Sequence, residues 1–243
     1  MKIIVFQHLA VEHPGVFREF WAEAGHDWRA VELDEGEPIP DLDGYDLMAV
    51  MGGPMDVWQE AEHPWLVAEK AAIAGWVRSG RPYLGVCLGH QLLASALGGE
   101  VGLMARPEVG ITTVELTPEG AADPVFAGLG PRIETLQWHG AEVARPPEGA
   151  VALAGNAACP VQALRWGERA YGVQFHLEIT DTTVDEWAAI PEYAASLRAA
   201  LGEEGARALE DETRRKLPDF RAVAARFDRN VAALIAASTA PIR

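Results

Sequence analysis

A cysteine set between two glycines, in Gly85-Val86-Cys87-Leu88-Gly89-His90-Gln91, is the group in this sequence whose setting best suits covalent chemistry. The apolar run Tyr83 to Val86 before it reads as a strand and Leu92 to Leu97 after it as a helix, so Cys87 falls at a strand-to-helix turn. In the analogous G-x-S-x-G arrangement the nucleophile is held in a strained backbone conformation, and the flanking glycines spare the turn a collision with strand and helix. The helix N-terminus behind such a turn offers N–H groups and a positive dipole end, which favour a thiolate and can hold a developing oxyanion. A cysteine in that setting is expected to be partly thiolate near neutral pH. Cysteine is also among the most buried residue types, so the spacing by itself leaves a structural role open. Cys159, in Ala157-Ala158-Cys159-Pro160, has no glycine elbow and reads as structural.

A thiol nucleophile needs a histidine to take and return its proton, and that histidine needs a third group to orient it. Seven histidines are available. His176 closes the apolar run Ala170 to Phe175 and has Glu178 two residues on; in an extended chain residues i and i+2 face the same side, so the two side chains can meet. A strand-end His followed by Glu is commonplace on its own, and the pairing with the cysteine turn is what singles this one out. His90 competes as base but lies in the first helical turn after Cys87, where it is expected to point away. His139, in Gln137-Trp138-His139-Gly140, follows a strand and reads as a pocket wall or a packed loop histidine.

Positioning these groups requires a sheet. The runs Ile3 to Phe6, Leu47 to Met51 and Tyr83 to Val86 are short, apolar and not alternating, which is how buried parallel strands read. Helical patterns separate them, over Gly15 to Ala24 and over Pro64 to Ser79; the second carries Trp65, Ala68, Ala72 and Trp76 as its expected buried stripe and Gly80 as its stop. Beyond Gly98 and Gly99, the pieces Gly110 to Leu116, Ile133 to Gln137, Val151 to Ala154, Val161 to Arg165 and Ala170 to Phe175 read as antiparallel additions. From Thr183 the pattern is helical again, opened by a candidate capping box of Thr183 and Glu186. A last helix places Phe220, Val223, Phe227, Val231, Leu234 and Ile235 on one stripe, read as core packing. The expected fold is an α/β domain with a mostly parallel central sheet flanked by helices, antiparallel additions and C-terminal helices. All 243 residues are assigned to it, with 181–243 as a helical extension.

With 36 acidic and 20 basic residues the chain carries a net charge of -16. That surface repels nucleic-acid phosphates and anionic membranes, so neither is expected as a partner. No segment is long and apolar enough to cross a bilayer. The start, MKIIVFQHLAVEHPG, reads as a first strand rather than a signal peptide. Two distant cysteines make neither a metal pair nor a disulfide framework, and a reducing cytoplasmic location is the resulting expectation.

Five ordered motifs resemble one known group. Met51-Gly52-Gly53-Pro54-Met55, Leu84-Gly85-Val86-Cys87-Leu88-Gly89-His90-Gln91, Trp138-His139-Gly140, Cys159-Pro160-Val161-Gln162-Ala163 and Gly172-Val173-Gln174-Phe175-His176-Leu177-Glu178 are similar to those of class I (triad) glutamine amidotransferases. Stand-alone members akin to the amidotransferase domain of GMP synthase are the nearest in pattern, and the resemblance spans roughly Lys2 to Ile179. It implies a flavodoxin-like sheet, Cys87 as nucleophile, His176 as general acid and base, and Glu178 as its orienting group. It further implies an oxyanion hole from the backbone N–H groups of Gly53 and Leu88, with Gln91, Trp138 and His139 around the amino-acid end of the substrate. No metal or organic cofactor is implied. The substrate would be glutamine or a γ-glutamyl small molecule, and a separate synthetase or acceptor chain is a possible partner, because no phosphate-binding G-x-x-x-x-G-K loop occurs. Leu177 stands where many members carry proline between His and Glu, which fits the stand-alone subgroup. Two other readings stay open here: a γ-glutamyl peptidase using the same triad, and a catalytically silent binding or regulatory domain.

Overall fold

The computed structural model describes residues 1–239. Nine strands form one sheet in the order β2-β1-β3-β4-β9-β8-β7-β5-β6. Its parallel half comprises β1 (Lys2–Gln7), β2 (Asp27–Glu32), β3 (Leu47–Val50), β4 (Tyr83–Val86) and β9 (Ala170–Val173). The other half is antiparallel: β5 (Glu100–Leu116), β6 (Arg132–Arg145), β7 (Ala150–Gly155) and β8 (Ala163–Trp166).

Two strands differ from the sequence reading. β9 is not an antiparallel addition: it runs parallel to β4 on one side, with Val86 level with Val173, and antiparallel to β8 on the other. A short, fully buried strand with no alternation reports only that both faces are covered; its direction is set by what lies beside it. The second strand, β2, escaped notice because it is an edge: Asp27, Trp28 and Arg29 are exposed, so its pattern lacks an apolar run. β5 and β6 also extend well past the pieces Gly110 to Leu116 and Ile133 to Gln137, as a long ribbon with two register shifts.

Helices cover both faces. On one, α1 (Phe17–Glu23) and the end of α6 (Pro191–Thr239) pack Trp21, Ala224, Phe227, Val231 and Ile235 against Ile3, Val5, Ala49 and Val173. On the other, α2 (Trp65–Arg78) and α3 (Leu88–Ala96) pack Leu66, Ile73, Trp76, Leu92 and Leu93 against Ile4, Met48, Val50 and Tyr83. The buried stripe of α2 is therefore Leu66, Glu69, Ile73, Trp76 and Val77, one position round from the expected one; Ala68 is exposed. The remaining elements are α4 (Pro118–Ala122), a 3₁₀ turn (Pro124–Phe126) and α5 (Thr183–Ala188).

The expected capping box does not form. Thr182 is the N-cap of α5 with no side-chain cap bond, and the Thr183 hydroxyl accepts from the Thr180 N–H at 2.9 Å instead. α6 is broken at Gly202, whose φ of 69° and ψ of 178° are not helical. The stretch before the break, with α5, buries Val184, Trp187, Tyr193 and Leu197 against Trp138 and Ile179. This third apolar cluster fastens the C-terminal helices to the β5–β6 ribbon and to the segment that follows β9. Residues 240–243 of the expected C-terminal extension lie outside those described.

Candidate active site

Cys87 caps the N-terminus of α3 with φ 52° and ψ −104°, the one positive φ on a non-glycine residue among those described. Such a conformation costs on the order of 1–3 kcal/mol and persists only where the surroundings dictate it. Here they do. The Cys87 N–H donates to the Val173 carbonyl at 2.8 Å and the Gly89 N–H to the Met51 carbonyl at 3.1 Å, tying the turn to strands on both sides. A β-carbon on Gly85 would lie 2.5 Å from the Gly89 backbone, and one on Gly89 would lie 2.1 Å from the Val50 carbonyl oxygen, so the turn has room for neither. The sulfur is mostly covered, 6% of the residue being exposed, and it borders a cavity of about 210 Å³.

His176 sits two residues beyond the Gln174 N–H that bonds Gln162, and its own N–H donates to Leu136 O at 2.9 Å. Its Nδ1 lies 2.6 Å from Glu178 Oε1. A carboxylate oxygen can only accept, so Nδ1 carries a proton and Nε2 is the nitrogen left for other work. Nε2 is buried with no aligned hydrogen-bond partner. Burial alone would depress the imidazole's pKa, but interaction with Glu178 and with Cys87 lifts it well above the usual histidine value. The thiol and the imidazole thus act on one another across one site. Trp187 packs on the ring at 4.5 Å between centroids. Glu178 is anchored in turn: Oε2 accepts from the Leu177 N–H at 2.9 Å, and its carbonyl accepts from the Val16 N–H at 2.8 Å. Gly15, with φ 47°, lies so close that a β-carbon would stand 1.6 Å from the Glu178 carbonyl oxygen.

A thiol on a strained turn, an imidazole with one free nitrogen and a carboxylate behind it meet at the C-terminal edge of the parallel strands, where open α/β sheets place their ligands. The family model for class-I glutamine amidotransferases matches residues 20–188, more than half of the chain. The chain belongs to that family. It is 37% identical to one subunit of a glutamine-hydrolyzing GMP synthase from Sulfolobus acidocaldarius, over 63% of this chain and 78% of that one. It is 30% identical to a putative glutamine amidotransferase-like protein of Salmonella typhimurium, over 76% of this chain and 79% of that one. A crystal structure of a glutamine amidotransferase from Thermotoga maritima superposes with a TM-score of 0.84 at 25% identity, covering 95% of this chain and 98% of the other.

The remaining predicted residues fall into two groups. Gly53, Leu88, Gln91, Trp138 and His139 all line the Cys87 cavity. Among the described residues, the N–H groups of Gly53 and Leu88 take part in none of the turn and loop hydrogen bonds. The Gln91 amide nitrogen is committed to Ala141 O at 3.1 Å and Gln174 Oε1 at 3.0 Å, which leaves its oxygen as the atom it can offer a ligand. His139 lies within β6 rather than after a strand, with Nδ1 2.9 Å from Ala141 O and Nε2 3.3 Å from Glu108.

His90 and Cys159 stand apart. His90 is fully buried against Gly172; burial lowers its pKa to about 4, weakly opposed by the Gly172 and Val161 backbone, so it is neutral. Cys159 is also fully buried, and desolvation pushes its thiol up to about 12.

Four further contributions were not anticipated. Gln174 points its amide nitrogen at the Cys87 sulfur, 3.6 Å away. The polarity of that contact is dictated from a distance: Ala141 O can only accept, so Gln91 presents nitrogen to Gln174, which must answer with oxygen and turn its own nitrogen to the thiol. Glu192, Tyr193 and Ser196 bring the C-terminal helix to the cavity wall, so that helix does more than complete the core. Tyr193 O–H donates to the buried Glu12 carboxylate, whose pKa is raised chiefly by burial. His8 and Glu69 form a further buried histidine–carboxylate pair. A sequence signal existed for His8, which follows β1 as His176 follows β9, and for Gln174, which lies in the motif that ends in His176 and Glu178.

Proposed function

We propose that this chain hydrolyses the γ-amide of glutamine to glutamate and ammonia through a Cys87 thioester. The observation that carries this reading is the strained Cys87 turn facing His176, whose other nitrogen is held by Glu178. In this scheme His176 Nε2 takes the thiol proton, and the thiolate attacks the γ-carbonyl. The oxyanion that forms lies between the N–H groups of Gly53 and Leu88, and the Gln174 amide helps hold the thiolate beforehand. His176 returns its proton to the departing ammonia, then removes one from the water that hydrolyses the thioester. Gln91 oxygen serves the substrate's ammonium end, with Trp138 and His139 as walls. A cavity of about 210 Å³ suits an amino-acid side chain and is smaller than the roughly 300–1,000 Å³ of drug-sized pockets.

The Sulfolobus relative is named as one subunit of its enzyme. By analogy, any ammonia-accepting reaction here resides on a separate chain. The test is glutamate release by the purified chain from glutamine and, in parallel, from γ-glutamyl dipeptides, with Cys87→Ala as control. Release from glutamine that is lost in the variant supports the proposal. Release from dipeptides alone replaces it with a γ-glutamyl peptidase, and release from neither leaves a binding domain.

A further inference from the structure

The Gly52–Gly53 segment is gripped from behind by residues that include His8 and Glu12, upstream of the family match, which begins at residue 20. His8 Nδ1 lies 2.7 Å from the Gly52 carbonyl oxygen. His8 Nε2 lies 2.9 Å from Glu69 Oε1. The Gly52 carbonyl can only accept, so Nδ1 carries a proton; opposite a carboxylate at Glu69, Nε2 carries one as well and the ring is an imidazolium. Residue and partner are completely buried, and the ring stacks on Trp65 at 5.3 Å with 14° between planes, a contact that favours a cation. Glu12 closes the other side: a β-carbon on Gly52 would stand 2.2 Å from its Oε2.

The Gly52 carbonyl and the Gly53 N–H belong to one peptide unit. No cis bond occurs among the described residues, so the two groups point in opposite directions across a rigid plane. A hydrogen bond that holds the carbonyl therefore sets the direction of the N–H, and polarising the carbonyl makes that N–H a stronger donor. We propose that His8, held by Glu69, is a positioning residue that aims and polarises the Gly53 N–H toward the oxyanion. The inference rests on the hydrolase reading above and assigns part of its transition-state stabilisation to a buried cation outside the triad. The direction of the His8 pKa agrees: burial opposes the charge, but Glu69, the Gly52 carbonyl and Glu12 together leave it above the usual value.

The experiment uses His8→Gln and Glu69→Gln in the full chain, measuring kcat and KM on whichever of glutamine or a γ-glutamyl dipeptide the wild type hydrolyses. The rate of Cys87 alkylation by iodoacetamide is followed by peptide mass spectrometry. Alkylation displaces iodide at a saturated carbon and builds no oxyanion, so it reports the thiol and its base without the Gly53 N–H. Loss of a whole oxyanion donor costs roughly 100- to 1,000-fold in kcat, so a donor left misaimed is expected to cost about 10- to 100-fold in His8→Gln, with KM changed less than about 3-fold. Alkylation should stay at the wild-type rate, and Glu69→Gln should show the same split with a smaller loss. Unchanged kcat in both variants overturns the inference, as does alkylation falling in step with kcat, which would mark a collapsed site. A wild type that turns over neither substrate defeats the hydrolase reading and this inference with it.

Discussion

Two of the buried histidine–glutamate pairs among the described residues are of nearly equal length, 2.6 Å at His176–Glu178 and 2.9 Å at His8–Glu69, and they are built for opposite tasks. In both, the carboxylate fixes one ring nitrogen. The difference lies in the other nitrogen. That of His176 has no aligned partner and is coupled to Cys87, so it can gain and lose a proton. That of His8 is already spent on the Gly52 carbonyl, so the ring cannot act as a base without breaking a bond. A carboxylate neighbour therefore does not identify a catalytic histidine; the vacancy on its far side does.

The largest test of this contrast is the loss of the free nitrogen. His176→Asn is expected to reduce kcat by about 1,000-fold or more, as removal of a triad base does, and to slow Cys87 alkylation at neutral pH in parallel. His8→Gln, at about 10- to 100-fold in kcat with alkylation intact, is the next largest effect; equal behaviour of the two variants in both assays would erase the distinction.

A smaller effect separates structure from chemistry. Tyr193→Phe removes the O–H that Glu12 accepts, and leaving a buried carboxylate short of a donor should lower unfolding stability by about 1–3 kcal/mol in a urea titration. Its kcat should fall less than that of His8→Gln.

The last test concerns His90, a buried histidine with no carboxylate beside it, whose effect appears only as a pH dependence. Its folded pKa of about 4 lies below the unfolded value near 6.5, so the unfolded chain binds more protons between those limits. Stability should thus rise with pH from about 4 to about 6.5, by at most about 3 kcal/mol from this group. His8 and His176 carry the opposite sign: their raised values stabilise the fold below about 6.5, and that contribution is lost as pH climbs through their folded values. His90→Asn should flatten the acid limb of a melting-temperature profile. A profile identical to the wild type would mean that His90 is charged in the fold.

Local spacing made one pair visible and hid the other. His176 and Glu178 are two residues apart, and the period of an extended chain brings them together whatever the rest of the fold does. Cys87 was legible for a similar reason, because the glycines that its turn needs are its immediate neighbours. His8 and Glu69 are separated by 61 positions and meet only because α2 lies over the end of β1 with Glu69 on its buried face. The apolar stripe expected for α2 did not include Glu69, so nothing in sequence drew it toward a histidine. Tyr193 and Glu12, 181 positions apart, depend likewise on α6 folding back across the sheet.

The amino-acid order alone determined the alternation of apolar strands and amphipathic helices, the strained cysteine turn and the His-x-Glu pair, since each depends on contacts within a few residues. The direction of β9, the polarity of the Gln91–Gln174–Cys87 chain and the second buried pair were decided by tertiary structure. Strand direction depends on which neighbour supplies hydrogen bonds, and a histidine's role on which acceptor reaches its second nitrogen. Both are properties of packed surfaces, where partners far apart in sequence are brought within about 3 Å.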